Sequence, residues 1–263
     1  MSGFHNGHDI VSYVALGDSF TEGLSDPHPD GGFRGWADRF AEHLADQGRE
    51  VRYANLAVRG KLLRQILADQ LPRAVELAPD LVTICAGGND LIRPGADPDV
   101  LAEIFEDGIG QLRATGADVI IFTGFDIGFQ PVMRHLRGRI ATYNMHLRGI
   151  ADAHGCQVVD LWSMKIFQDR QAWDWDRLHL STEGHRRLAL KVCAAVGAEA
   201  GEDWNEPWPG AEPMHWRAAR QDDLHWAREF LVPWIHRRLT GRSSGDGLGP
   251  KRPNLERLGQ RPG

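Results

Sequence analysis

Tyr13-Val14-Ala15-Leu16-Gly17-Asp18-Ser19-Phe20 holds the decisive pairing of this chain: a short apolar run followed at once by a turn of glycine, aspartate and serine. The first four residues suit a buried strand, and the next three are turn formers. Four more apolar runs of similar length follow, Val51 to Ala57, Leu81 to Ala86, Val119 to Thr123 and Gln157 to Leu161. Between the third and fourth runs, Val100, Leu101, Ile104, Phe105, Ile109 and Leu112 recur at helical spacing. Between the fourth and fifth, Leu136, Ile140, Tyr143, Leu147 and Ile150 do the same, as the apolar stripe of a helix lying on a sheet should. Strands alternating with helices predict a doubly wound, three-layer α/β/α domain around a five-stranded parallel sheet.

Sheets of this type place their sites beyond the carboxyl ends of the strands. The polar clusters fall there: Gly17-Asp18-Ser19 after the first run, Asn55 to Gly60 after the second, Gly87-Gly88-Asn89-Asp90 after the third and Asp174 to Ser181 after the fifth. Glu183 to Val196 then reads as a closing helix capped by Ser181 or Thr182.

Bulk properties narrow the function. The 263 residues carry 36 acidic and 30 basic side chains, a formal charge of -6, which argues against a nucleic-acid partner. No run of eighteen apolar residues is present, so no transmembrane segment is expected. The polar N-terminus lacks the apolar core of a signal sequence, and the default expectation is a cytoplasmic location. Cys85, Cys156 and Cys193 are an odd number set in apolar stretches, which reads as buried thiols rather than a disulfide framework. His5 and His8, even with Asp9, read as a solvated end without metal-site geometry.

A serine hydroxyl becomes a nucleophile only when a base takes its proton and a third group orients that base. Ser19 follows a buried strand, and Asp176-Arg177-Leu178-His179 sets a carboxylate and an imidazole on one loop. Asp174 competes for the carboxylate role, but the three-residue spacing favours Asp176. His185 falls inside the closing helix and reads as structural or surface. Asp18 reads as a residue that holds the turn through backbone hydrogen bonds. An ester hydrolysis also needs donors for a developing oxyanion. The Ser19 N–H, the Gly60 N–H and the Asn89 side-chain amide are the candidates. Trp173 and Trp175 flank the Asp176 loop, either walling a substrate pocket or packing the loop on the core.

With these four blocks in order, the chain resembles the SGNH hydrolase superfamily, the GDSL esterases and lipases, over roughly residues 12 to 197. Carried over by position, Ser19 resembles the nucleophile and first oxyanion donor, Gly60 and Asn89 the other two donors, and Asp176 and His179 the rest of the triad. The resemblance implies a flavodoxin-like fold, a small-molecule ester substrate and an acyl-enzyme intermediate. It requires no metal and no cofactor. Phe20 stands where the family's name has leucine, a change that keeps the position apolar. The domain is expected over 12–200, after a flexible N-terminus at 1–11.

The family pattern is silent beyond residue 200. Five of the nine tryptophans, Trp204, Trp208, Trp216, Trp226 and Trp234, lie there. The stretch 201–240 reads as an extension packed on the domain, with helical spacing from Leu224 to Ile235 interrupted at Pro233. Exposed instead, its tryptophans would serve self-association or a scaffold role. The stretch 241–263, rich in Gly, Ser, Pro and Arg, is expected to be disordered.

Three rival readings share parts of the pattern. Acyl transfer to an alcohol would use the same residues. A nucleotide site is opposed by Asp18 and Glu22 in the first turn, which would repel phosphate. The α/β-hydrolase elbow is opposed by Thr21 standing where its second glycine belongs.

Overall fold

The computed structural model describes residues 10–29, 31–48, 50–130, 132–210, 225–226, 228–229 and 244–258. His5, His8, Trp216, Trp234 and most of the helix expected from Leu224 to Ile235 lie outside the described residues. The first half runs β1 (Ser12–Gly17), α1 (Ser19–Glu22), α2 (Gly35–Asp46), β2 (Arg52–Asn55), α3 (Leu63–Asp69), α4 (Leu71–Leu77) and β3 (Leu81–Cys85). The second runs α5 (Gly88–Leu91), α6 (Pro98–Ala114), β4 (Asp118–Phe122), α7 (Arg137–His154), β5 (Gln157–Val159), α8 (Thr182–Ala195) and β6 (Arg252–Arg257).

Side chains of a strand alternate between faces, and both faces of this sheet are covered. Tyr13 and Ala15 of β1 join Trp36, Phe40 and Leu44 of α2 and Leu188 and Val192 of α8. Val14 and Leu16 join Ile66, Phe105, Ile109 and Leu147 on the opposite side. Burial on two faces explains why these strands read as unbroken apolar runs, each enclosed side chain adding about 1.5–3 kcal/mol. Tyr13 is central: its ring stacks on Tyr53 at 5.0 Å and meets Phe40 edge-on at 5.1 Å. Its hydroxyl and that of Thr83 are 2.8 Å apart, so its polar end is also partnered.

The strand order is β5-β4-β3-β1-β2-β6. All neighbours are parallel except β6, which runs antiparallel to β2. The chain leaves β1 toward β2 and crosses back to β3, so the order reverses between β1 and β3. Loops diverge at such a switch point and leave a crevice. Gly17 and Cys85 face each other there in register.

Two expectations at the chain's ends are corrected. The sheet has six strands, not five, because Arg252–Arg257 pairs with β2 inside the stretch expected to be disordered. Composition hides this strand: Arg-Pro-Asn-Leu-Glu-Arg has only Leu255 to bury, and its pairing comes from backbone hydrogen bonds on an edge where Pro253 is tolerated. At the other end, Ile10 is buried in the core and the Val11 carbonyl accepts from Arg52 at 2.8 Å. The ordered chain therefore begins before residue 12.

Beyond α8, Trp204 and Trp208 pack against the core. The Trp208 indole donates to the Ile166 carbonyl at 2.7 Å, and the Arg187 guanidinium covers its ring at 3.9 Å. Among the described residues no helix is long and apolar enough to cross a membrane.

Candidate active site

The first loop leaves β1 through Gly17, whose φ of 154° and close packing admit no side chain. A Cβ there would lie 2.5 Å from Thr21 Oγ1 and 2.7 Å from the Cys85 carbonyl. Gln70 grips the same residue, accepting from the Gly17 N–H at 2.9 Å and donating to its carbonyl at 2.8 Å. Asp18 then caps α1 by accepting from the Phe20 N–H at 3.1 Å. These constraints deliver Ser19 as the first residue of a single helical turn. That turn enters α2 by a backbone crossing: a Cβ on Gly23 would lie 2.5 Å from Gly35 Cα, and one on Gly35 would overlap Gly23.

The fifth-strand loop carries Asp176 and His179. Asp174 N–H donates to the His179 carbonyl at 2.9 Å, closing the loop on itself, and Arg177 sits inside it at φ 57°. Arg170 ties the loop's start by donating to the Trp173 and Asp174 carbonyls. Asp176 Oδ1 accepts from the N–H groups of Leu178 and His179, each at 2.9 Å, while Oδ2 lies 2.6 Å from His179 Nδ1. His179 Nε2 is 2.9 Å from Ser19 Oγ. Ser19, His179 and Asp176 thus form one hydrogen-bonded chain. Asp174 takes no part in it through its carboxylate.

Electrostatics suit this arrangement. Burial pulls the Asp176 carboxyl upward, but the His179 hydrogen bond and charge and the two backbone N–H groups outweigh it, so its pKa lies below the ordinary value. Asp18 goes the other way, pushed up to about 6, chiefly by burial. His185 is fully enclosed: Nδ1 accepts from the Trp36 N–H at 3.2 Å and Nε2 lies 3.0 Å from the Leu24 carbonyl. Burial lowers its pKa to about 4. It is a neutral structural imidazole that fixes α2 against the turn after Ser19.

The second and third loops meet the first. Asn55 donates to the Thr21 carbonyl at 3.0 Å and accepts from the Ala57 N–H at 3.1 Å. Arg59 binds Glu22 through its backbone N–H at 2.7 Å and through its guanidinium. Gly60 follows at φ 73°, a left-handed conformation that favours glycine. Asn89 starts from Gly87, where a Cβ would lie 2.7 Å from the Tyr143 hydroxyl. Its amide donates to Asp18 Oδ2 at 2.8 Å and to the Lys61 carbonyl at 3.2 Å.

Ser19, Asn89 and His179 open onto a cavity of about 180 Å³. Leu91, Ile92, Ile127, Ile140, Tyr143 and Leu147 line its apolar part. The two tryptophans part company. Trp173 is buried, lines the cavity and donates to the Phe167 carbonyl at 2.7 Å, so it both walls the pocket and packs the loop. Trp175 is 53% exposed and lies outside the lining, which corrects the pocket expectation for it: Trp173 is held by its bridge to Leu180, whereas Trp175 sits in the turn that the Arg177 N–H closes on the Asp174 carbonyl at 3.0 Å.

Other site features have weak or no sequence signals. The Ile140, Tyr143 and Leu147 stripe reads as core and lines the cavity too. Trp226 donates to the Asp176 carbonyl at 2.7 Å, with the Arg177 guanidinium over its ring; its distance along the chain hides this. Among the described residues no cluster of three or more histidine, cysteine or carboxylate side chains is arranged to hold a metal ion.

The model of the GDSL-like lipase/acylhydrolase family matches residues 15–187 of the 263. The chain belongs to the GDSL-like lipase/acylhydrolase family. The family match takes in Ser19, Gly60, Asn89, Asp176 and His179 and ends within α8, so Trp226 and β6 lie beyond it. No curated protein matches this family member. Solved structures similar to it include an α/β hydrolase enzyme from the metagenome of Lake Arreo, Spain. That likeness has a TM-score of 0.62 at 23% identity, over 71% of this chain and 95% of that one. An acetylxylan esterase from Geobacillus stearothermophilus gives 0.59 at 20% identity, over 72% and 95%. The acetyl xylan esterase AlAXEase gives 0.57 at 22%, over 71% and 100%. These likenesses carry the GDSL-like fold.

Proposed function

We propose that the chain hydrolyses carboxylic esters through an acyl-enzyme formed on Ser19. The observation that carries this reading is the chain from Ser19 Oγ to His179 Nε2 at 2.9 Å and from His179 Nδ1 to Asp176 Oδ2 at 2.6 Å, at the mouth of an apolar cavity. As Ser19 Oγ attacks the ester carbon, His179 takes its proton and the Asp176 carboxylate stabilises the imidazolium. The carbonyl oxygen becomes an oxyanion, for which the N–H groups of Ser19 and Gly60 and the Asn89 amide are the donors. Collapse expels the alcohol with the proton held on His179. Water then attacks the acyl-enzyme, its proton passing through His179 back to Ser19 Oγ.

The acyl group stays tethered to Ser19 through the second half of this cycle while the alcohol leaves. The cavity is therefore assigned to the acyl group. A dry cavity of about 150 Å³ accepts a benzene ring. A space of about 180 Å³ accordingly suits an aromatic acyl group or a chain of about five to eight carbons, and an acetyl group leaves most of it unfilled. Hydrolysis of p-nitrophenyl esters by the wild type and by Ser19→Ala tests the reading. Release of nitrophenol by wild type and none above background by a folded Ser19→Ala is expected; equal rates overturn it.

A further inference from the structure

The C-terminal segment 244–258 reaches back to the turn that carries Ser19. Lys251 extends its ammonium into the body of the protein, where it donates to the Glu22 carbonyl at 2.7 Å, the Phe33 carbonyl at 3.0 Å and the Arg34 carbonyl at 2.7 Å. Its fourth acceptor is Asp38 Oδ2 at 2.9 Å. An ammonium has three N–H donors and is costly to take out of water unless all are used. Here all are.

What the ammonium holds is the far end of α1. That helix is a single turn, its frame resting on the bonds from Glu22 N–H to Asp18 O at 2.9 Å and from Gly23 N–H to Ser19 O at 3.1 Å. Lys251 binds the Glu22 carbonyl directly. It holds the Thr21 carbonyl through a relay: Asp38 Oδ1 accepts from the Tyr53 hydroxyl at 2.7 Å, Tyr53 accepts from Asn55 at 2.9 Å, and Asn55 donates to Thr21 O at 3.0 Å. Asn55 also holds the Ala57 N–H that starts the loop to Gly60. The same segment touches that loop a second time, since Gly245 packs on the Arg59 carbonyl so closely that a Cβ would overlap it.

We propose that Lys251 is a positioning residue for ester hydrolysis, setting the Ser19 turn and the Gly60 loop through one buried ammonium supplied from beyond the family's matched region. The inference rests on the hydrolase reading, and it assigns the C-terminal strand a part in the site rather than only in the sheet. A 1 Å displacement of reacting groups can cost about a hundredfold in rate, so the role is visible in kcat.

The test uses full-length Lys251→Met and Lys251→Arg, with Arg113→Met as a control. Arg113 donates to the His154 and Ala117 carbonyls, remote from Ser19 in the fold. Each variant is assayed below its melting temperature for kcat and KM on a p-nitrophenyl ester and for the rate of fluorophosphonate labelling. The expected result is a loss in kcat and labelling of about ten- to a hundredfold for Lys251→Met, with KM within about threefold. Lys251→Arg should recover part of this loss, and Arg113→Met should lower the melting temperature without changing kcat. A folded Lys251→Met with wild-type kcat overturns the proposal, as does an equal loss in Arg113→Met. If Lys251→Met does not fold, Lys251→Gln, which keeps two N–H donors, is judged by the same criteria. Failure of both to fold assigns the residue to stability alone and overturns the proposal. A wild type that cleaves no ester defeats the hydrolase reading first, whereas an active wild type matched by Lys251→Met defeats only this inference.

Discussion

The side-chain amide of Asn89 donates to the carboxylate of Asp18 across 2.8 Å. It reaches from the loop after β3 to the residue preceding Ser19, across the switch point of the sheet. Burial first, and the Asp90 charge after it, push the Asp18 carboxyl up to about 6, against the pull of the Phe20 N–H, His179 and Asn89. An oxyanion formed at Ser19 would compete with Asp18 for the Asn89 donor. In the proposed reaction Asn89 would exchange Asp18 for the oxyanion as charge develops on the substrate.

Asn89→Ala should therefore lower kcat by about 10²- to 10³-fold, the usual effect of losing one oxyanion donor, with little change in KM. Steady-state kinetics on a short-chain aryl ester check this. An unchanged kcat would remove Asn89 from the proposed site.

Asp176 holds the Nδ1 side of His179, and its low pKa keeps it ionised across the neutral range. Asp176→Asn should leave the loop folded through Oδ1, which accepts two backbone N–H groups, yet stabilise the wrong tautomer of the ring. A fall in kcat of about 10³- to 10⁴-fold is expected. Circular dichroism beside the kinetics separates this from unfolding.

Acyl length should register in kcat/KM. Each methylene buried in the cavity is worth up to about 0.8 kcal/mol, or about a fourfold rise, until the cavity is full. Ile140→Trp should abolish the gain for hexanoyl and octanoyl esters while leaving acetyl ester hydrolysis within about twofold. A p-nitrophenyl ester series from acetate to decanoate reads both proteins, and a flat series for the wild type would contradict the assignment of the cavity.

His185 makes stability depend on pH. Its folded pKa of about 4, set first by burial against the opposing Leu24 carbonyl and Asp26 charge, lies below the ordinary 6.5. The fold thus prefers the neutral ring, and this contribution is complete above pH 6.5 and disappears as pH falls toward 4. Its upper size is about 3 kcal/mol. His185→Gln, which can still accept from Trp36 and donate to Leu24, should be less stable at pH 7.5 but lose less between pH 6.5 and 4. Urea unfolding at stepped pH measures both slopes.

The parallel strands and the four loops were legible because apolar runs and turn residues are local signals, and the switch point gathers the loops by rule. Asp176 could be preferred to Asp174 by spacing to His179, and the structure puts Asp176 on the ring. The strand at Arg252–Arg257 was not legible. Its stability lies in backbone pairing and in a lysine whose ammonium is enclosed by carbonyls from residues more than two hundred positions away, and hydropathy scores such a residue as solvated. Trp175 misled because the turn from Asp174 to Arg177 carries it away from the wall that Trp173 forms. The cavity was hidden for the opposite reason: residues that line it look the same as residues that fill a core.

The crossing of Gly23 and Gly35 has a consequence for how this turn can change over time. Each position excludes a side chain because of the other's main chain, so no alteration of one can make room at the other. A methyl group introduced at either would have no compensating partner anywhere in the genetic code. Two sites in direct contact would therefore both stay invariant in any lineage that keeps this crossing, and a search for correlated substitutions would pass over one of the tightest contacts beside the proposed nucleophile.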